Sequence, residues 1–300
     1  MRVNPNIVPD MLADLQQSQL AVNTALQEVS TGKSVTVPSD NPAAAAEMVQ
    51  NTIETQDVDQ YTQNVSSVLS SIQSADSALG SVVTSLTQAI SLGTQGANGT
   101  TSAANRQAIA QQVQGILSSV VSQANSTYQG SYLFGGTAST TAPYTASSSS
   151  ASGYTYNGNN GTNSVAVGDD MNVQVNLPGS QIFSNSSTDV LGSLSSLVSA
   201  LQSGDSSAIA SVTSAVSGAL SYVSQQRVFY GNAESQLNSQ ETYLQQETVS
   251  LTSQENSLVG VDIAQAATEL SQAETANNAA EAAAAKVLPD TLLNYLAPPQ

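Results

Sequence analysis

The sequence predicts a mainly α fold: an elongated helical bundle with paired terminal coiled-coil helices and a small inserted β domain. Three observations carry this expectation. Apolar residues recur at alternating spacings of four and three through both halves of the chain, the period of helices packed along a seam. The rhythm gives way to period two in one internal stretch from Tyr132 to Ser184. The composition cannot fill a thick core, since aromatic residues are 4% of the 300 and Trp is absent. Small side chains leave burial to thin seams, where each CH₂ taken from water contributes about 0.8 kcal/mol.

The first seam is Val8, Leu12, Leu15, Gln19, Val22, Leu26 and Val29, closed at Gly32, a residue suited to the left-handed end of a helix. The run Pro38-Ser39-Asp40-Asn41-Pro42 then offers caps at Asp40 or Asn41 and a proline at the first helical position. A long helix follows, with Tyr61, Val65, Val68, Ile72, Ala75, Leu79, Val82, Leu86 and Ala89 in unbroken four-three rhythm, and Gly93 and the turn at Gly96-Ala97-Asn98-Gly99 predict its end. Another helix from about Ala103 carries Ile109, Val113, Ile116 and Val120.

Period two then takes over in Tyr154-Thr155-Tyr156 and in Val165, Val167, Met171, Val173, Val175 and Leu177, with Asp169-Asp170 as a turn between strands. Helical spacing returns at Val190, Leu194, Leu197 and Leu201, and then every seven residues from Ile209 to Leu258, as one very long helix or two in series. The last seam is Val259, Ile263, Ala266, Leu270, Ala273, Asn277, Ala280, Ala284 and Val287. The expected partition places residues 1–40 and 259–300 in a terminal coiled-coil domain, 41–131 and 185–258 in a long-helix bundle, and 132–184 in the β domain. Four alanines in the last seam each forgo roughly 2 kcal/mol relative to leucine. The terminal helices are therefore expected to be disordered in the free monomer and to order only against neighbouring subunits.

Charge and missing residue types exclude whole classes of function. Lys and Arg number 5 against 22 Asp and Glu, a net charge of −17 that opposes binding to nucleic acid or to an anionic membrane surface. With no Cys and no His there is no disulfide framework, no thiolate nucleophile, no catalytic triad and no zinc site. The carboxylate pairs Asp57 and Asp59, and Asp169 and Asp170, read as solvated and turn residues, and no phosphate-binding glycine loop is present. The reading is of a protein that is not an enzyme, with no catalytic, cofactor-binding or metal residues. No apolar run approaches the roughly 18 residues of a membrane span. Met1 to Asn6 lacks the opening of a cleaved signal, so the chain either stays in the cytoplasm or leaves by another route.

At both ends these residues resemble the flagellin superfamily. Ser30-Thr31-Gly32-Lys33 and Pro38-Ser39-Asp40-Asn41-Pro42-Ala43-Ala44 are similar to its amino-terminal signature, and Asp262-Ile263-Ala264 through Leu270 to Leu292-Leu293-Asn294-Tyr295-Leu296 to its carboxyl-terminal one. The middle, with Tyr132-Leu133-Phe134-Gly135-Gly136, Tyr156-Asn157-Gly158 and Val173-Gln174-Val175-Asn176-Leu177-Pro178-Gly179, looks like the hook-filament junction family, hook-associated protein 3. The resemblance implies a structural subunit exported by the flagellar type III apparatus without a cleaved signal, extracellular in the bacterial flagellum, forming a ring between hook and filament. It implies as partners copies of the chain itself, the other hook-associated junction protein, flagellin and an export chaperone. The assembly seam expected on this reading is Leu12, Leu15, Val22 and Leu26 facing Ile263, Leu270, Ala273 and Ala280, with Arg2, Lys33, Arg106, Arg227 and Lys286 as scarce positive contacts. A minor or small flagellin, forming filament rather than ring, is the nearest alternative, and a secreted coiled-coil adhesin a more distant one.

Overall fold

The computed structural model describes residues 7–185 and 188–296. In chain order the elements are α1 (Ile7–Thr31), α2 (Pro42–Ala97), α3 (Ala103–Ala124), β1 (Thr127–Tyr128), β2 (Ser131–Tyr132), β3 (Tyr144–Ala146), β4 (Tyr154–Tyr156), β5 (Ser164–Gly168), β6 (Met171–Gln174), α4 (Gly179–Ile182), α5 (Val190–Ser203), α6 (Ser206–Val259) and α7 (Ile263–Leu296). They fall into two compact units, one of residues 58–246 and one of residues 1–57 with 247–300.

In the 58–246 unit, α2 and α6 run antiparallel. Arg227 of α6 grips Asp76 of α2 through Nε at 2.8 Å and Nη2 at 2.7 Å, and Gln73 donates to Glu234 at 2.9 Å. The hydrogen bonds that Arg227 donates to Asp76 hold its guanidinium above the ordinary pKa. The heptad residues expected to be buried are buried: Val65, Ile72, Leu79, Val82 and Leu86 on α2, and Ile209, Val216, Val223, Tyr230 and Leu237 on α6. Helix α3 is capped by Ser102, whose side chain accepts from the Asn105 amide, and it packs on α5, which Asp189 caps through the Gly192 amide.

Helix α2 ends at Ala97, inside the turn expected at Gly96-Ala97-Asn98-Gly99, after passing through both Gly93 and Gly96. The two glycines continue its buried row one and two steps beyond Ala89. A Cβ added at Gly93 would collide with the Thr213 side chain of α6, and one at Gly96 with Leu201 of α5. The absence of a side chain is what lets the three helices approach, and backbone hydrogen bonding inside a long helix outweighs the roughly 1 kcal/mol propensity deficit of glycine. Gly93→Leu is expected to cost at least about 2 kcal/mol by overpacking, read as a lower urea midpoint followed by circular dichroism.

The inserted region is three separate two-stranded antiparallel hairpins, β1 with β2, β3 with β4 and β5 with β6, rather than one sheet. Aromatic residues join the second hairpin to the segments after β2 and α4, with Phe134 edge-on to Phe183 at 5.5 Å and Tyr144 against both Phe183 and Tyr156. The third hairpin is held by helix side chains: Asn64 donates to the Ala166 carbonyl, Gln240 to the Val167 carbonyl, and the Tyr61 hydroxyl to Asp169 in the β5–β6 turn.

Candidate assembly surfaces

In the other unit, local chemistry at Gly32 and Gly260 brings the two ends of the chain together. Gly32 has φ +69, the left-handed conformation that ends α1. Beyond it, the Ser34 amide donates to the Val259 carbonyl at 2.7 Å and the Val261 amide to the Gly32 carbonyl at 3.1 Å, an antiparallel bridge centred on Lys33 and Gly260. Lys33 Nζ meets Glu255 at 2.8 Å, and Asp262 caps α7 through the Ala264 amide. From this clasp α1 and α7 diverge in chain direction and pack side by side as an antiparallel pair. Ile7–Thr31 and Ile263–Leu296 are both helical in this pair.

The same unit contains the entry to α2. Asn41 caps it through the Ala44 amide, with Pro42 as first residue. One Asp40 carboxylate oxygen accepts from the Val37 amide, the Thr36 amide and the Thr36 hydroxyl, and the two backbone bonds lower its pKa. A depressed folded pKa stabilises above the ordinary carboxylate value and is lost as pH falls through the folded one. Amide exchange at Thr36 and Val37 is therefore expected to accelerate below about pH 3.8 relative to Asp40→Asn, which should show no such step.

The residues expected to form the assembly seam divide in two. Leu15, Val22, Leu270, Ala273 and Ala280 are half-buried on the α1 and α7 faces. Leu12 is 55% exposed, Leu26 54% and Ile263 60%, so these three lie outside the pair. The inward row on α1 is Met11, Leu15, Ser18, Val22, Ala25 and Val29, half-buried except for the buried Ala25 and one residue out of step with the expected row at three positions, and Ala266 is the most buried of the described α7 residues. Gln19, expected in the row, is exposed, and Ser18 takes its place. Ser18 Oγ and Asn277 Oδ1 are both buried without a partner among the described residues, so each helix carries one unsatisfied polar atom in its row. Among the scarce cations, Lys33 and Arg227 form ion pairs, Arg106 donates to the Thr101 carbonyl, Lys286 is exposed on α7, and Arg2 lies outside the described residues.

Among the described residues, no group of three or more His, Cys, Asp or Glu side chains is placed to hold a metal ion, and no helix is long and apolar enough to cross a membrane. Long helices, an inserted region of small hairpins and a bridge from Lys33 to Gly260 that sets α1 beside α7 define a fold built of packed helical surfaces. Residues 4–139 match the bacterial flagellin N-terminal helical region and residues 213–296 the bacterial flagellin C-terminal helical region, together well over half of the sequence. The chain belongs to the flagellin superfamily.

Solved structures share the fold. A Vibrio parahaemolyticus protein assigned as flagellar hook-associated aligns with TM-score 0.68 and 20% identity over 74% of this chain and 100% of its own. FlgL of Bacillus cereus aligns with TM-score 0.58 and 23% identity over 70% of this chain and 99% of its own. The flagellar junction protein FlgL of Legionella pneumophila aligns with TM-score 0.61 and 14% identity over 71% and 100%. Compared with curated protein sequences, the chain has no match.

Proposed function

We propose that this chain is the structural subunit of the ring that joins hook to filament in the bacterial flagellum. The observation that carries the reading is the likeness in fold to solved hook-associated and FlgL proteins, which are covered over 99–100% of their own length. On this reading the chain works outside the cell by packing rather than turnover, is exported without a cleaved signal, and contacts copies of itself, the other hook-associated junction protein and flagellin after delivery by an export chaperone. Its α1 and α7 pair is the assembly element. The buried row with Leu15, Val22, Leu270, Ala273 and Ala280 holds the pair, and the exposed Leu12, Leu26 and Ile263 meet neighbouring subunits.

A small flagellin is the competing reading, because the matched helical regions are those of flagellin itself. Deleting the coding segment from the host separates the two. Hooks without filaments, with flagellin shed into the medium, are the expected result by electron microscopy. Filaments that persist with altered length or shape would make the chain a filament subunit, and unaffected flagella would overturn both.

A further inference from the structure

A cleft of about 350 Å³ opens between α2, the β1–β2 hairpin and the segment that follows β6, at the lower end of the range for small-molecule sites. Its apolar part includes Val68, Leu133 and the ring of Tyr230. In a chain of net charge −17, no charged side chain lines it.

Some polar groups around this cleft are bonded within the fold, namely the Asn176 side chain, the Gln129 amide and the Tyr128 and Tyr230 hydroxyls, and others are open to solvent. Among the described residues, the Ser67 and Ser71 hydroxyls, the Tyr132 hydroxyl and the Asn163 side-chain amide have no hydrogen-bond partner. Serines of this helix bond back one turn at some positions, as Ser70 and Ser74 do at 3.0 and 2.8 Å, and not at others, such as Ser66 and Ser77. Ser67 and Ser71 lie one turn apart on one face and do not bond back. At the rim, Gln129 and Gly130 both have positive φ, 49° and 81°, the pattern of a turn that usually takes Asn-Gly. A non-glycine residue held there is strained, and such residues gather at ligand sites. Its side chain donates to the Tyr128 hydroxyl at 3.2 Å, which fixes a second tyrosine at the opening.

We propose that this cleft binds a short neutral saccharide. Serine and tyrosine hydroxyls both donate and accept, as sugar hydroxyls do, and an amide adds one of each kind of group. Tyrosine presents an apolar ring face beside a polar tip, the combination that a sugar ring with its C–H face and equatorial hydroxyls requires. The lack of any cation in the lining disfavours phosphorylated or carboxylated ligands. An extended peptide fits less well, because β1 and β2 are two residues each and offer no edge long enough to add a strand.

The test is titration of the ¹⁵N-labelled full chain with cellobiose and with chitobiose at millimolar concentration, with glucose 6-phosphate as charged control, followed by amide shifts. Saturating shifts confined to Tyr128–Tyr132 and Asn163 are expected with at least one disaccharide and not with the phosphate. Asn163→Ala and Ser71→Ala should each weaken binding up to about tenfold, the value of one neutral hydrogen bond, while Ser70→Ala leaves it unchanged and all three melt with the parent. A neutral glycan array probed with the same variants then tells a free sugar from a surface-attached glycan as the better ligand. Failure of both disaccharides to shift these amides, equal response to the phosphate, or unaltered affinity in Asn163→Ala would overturn the proposal. None of these outcomes bears on the flagellar reading, which the deletion experiment tests separately.

Discussion

Tyr230→Ala is expected to lower the stability of the 58–246 unit by about 3–5 kcal/mol, the cost of emptying a buried aromatic site. Tyr230 is 1% exposed, stands in the heptad row of α6, and its hydroxyl accepts from the Leu177 amide at 3.3 Å. It therefore joins the helical core to the end of the hairpin insertion through one side chain. Tyr230→Phe keeps the ring and orphans that amide, so a loss of about 1–2 kcal/mol is expected. Urea unfolding of both variants, followed by circular dichroism, separates the two contributions. An alanine variant as stable as the parent would show that the insertion and the helices are not coupled there. Burial also pushes the phenol above its ordinary pKa of 10.0. The folded state thus favours the neutral form, so its contribution is full below about pH 10 and is lost as pH rises toward the folded value. Alkaline unfolding that is shifted to higher pH in Tyr230→Phe is the corresponding expectation.

Leu270→Asp is expected to separate α1 from α7 and to abolish assembly while the 58–246 unit melts as before. Among the described residues, Leu270 is the one leucine in an α7 row otherwise made of alanines and Asn277. Removing it forfeits roughly 1–2 kcal/mol of burial, and bringing a carboxylate against the seam costs about as much again. A row of small side chains, which already holds unpartnered oxygens at Ser18 and Asn277, has little with which to offset that loss. Amide exchange in α1 and α7 should approach unprotected rates, and the variant should be secreted yet missing from isolated flagella. Full incorporation would remove α7 from the assembly element.

The legible parts of this protein are those where one residue type answers one backbone requirement. Gly32 at the end of α1, Asn41 and Pro42 at the start of α2, and Asp169-Asp170 between β5 and β6 act locally, and the structure has them in those roles. The long rows of α2 and α6 were legible for a different reason: Val, Ile, Leu and Tyr repeat there often enough to fix the phase of the helix.

Phase fails as a guide where the seam is made of small residues. On α1, one row through Leu12, Leu15, Val22 and Leu26 and another through Met11, Leu15, Val22 and Ala25 share two positions, and hydrophobicity favours the row with more leucine. The structure buries Ala25 to 7% exposure and leaves Leu26 outside. Close approach of two helices selects the smaller side chain, a matter of interaxial distance that no single helix encodes. Gly93 follows the same logic: alone it looks like a stop, and against Thr213 it is a contact. The sequence by itself determined the long helices, the cap at the start of α2 and the presence of a β insertion between them, and it contains neither cysteine nor histidine. The tertiary structure decided which face of each small-residue helix is inside, because packing depends on the shape of the partner as well as on the apolarity of the row.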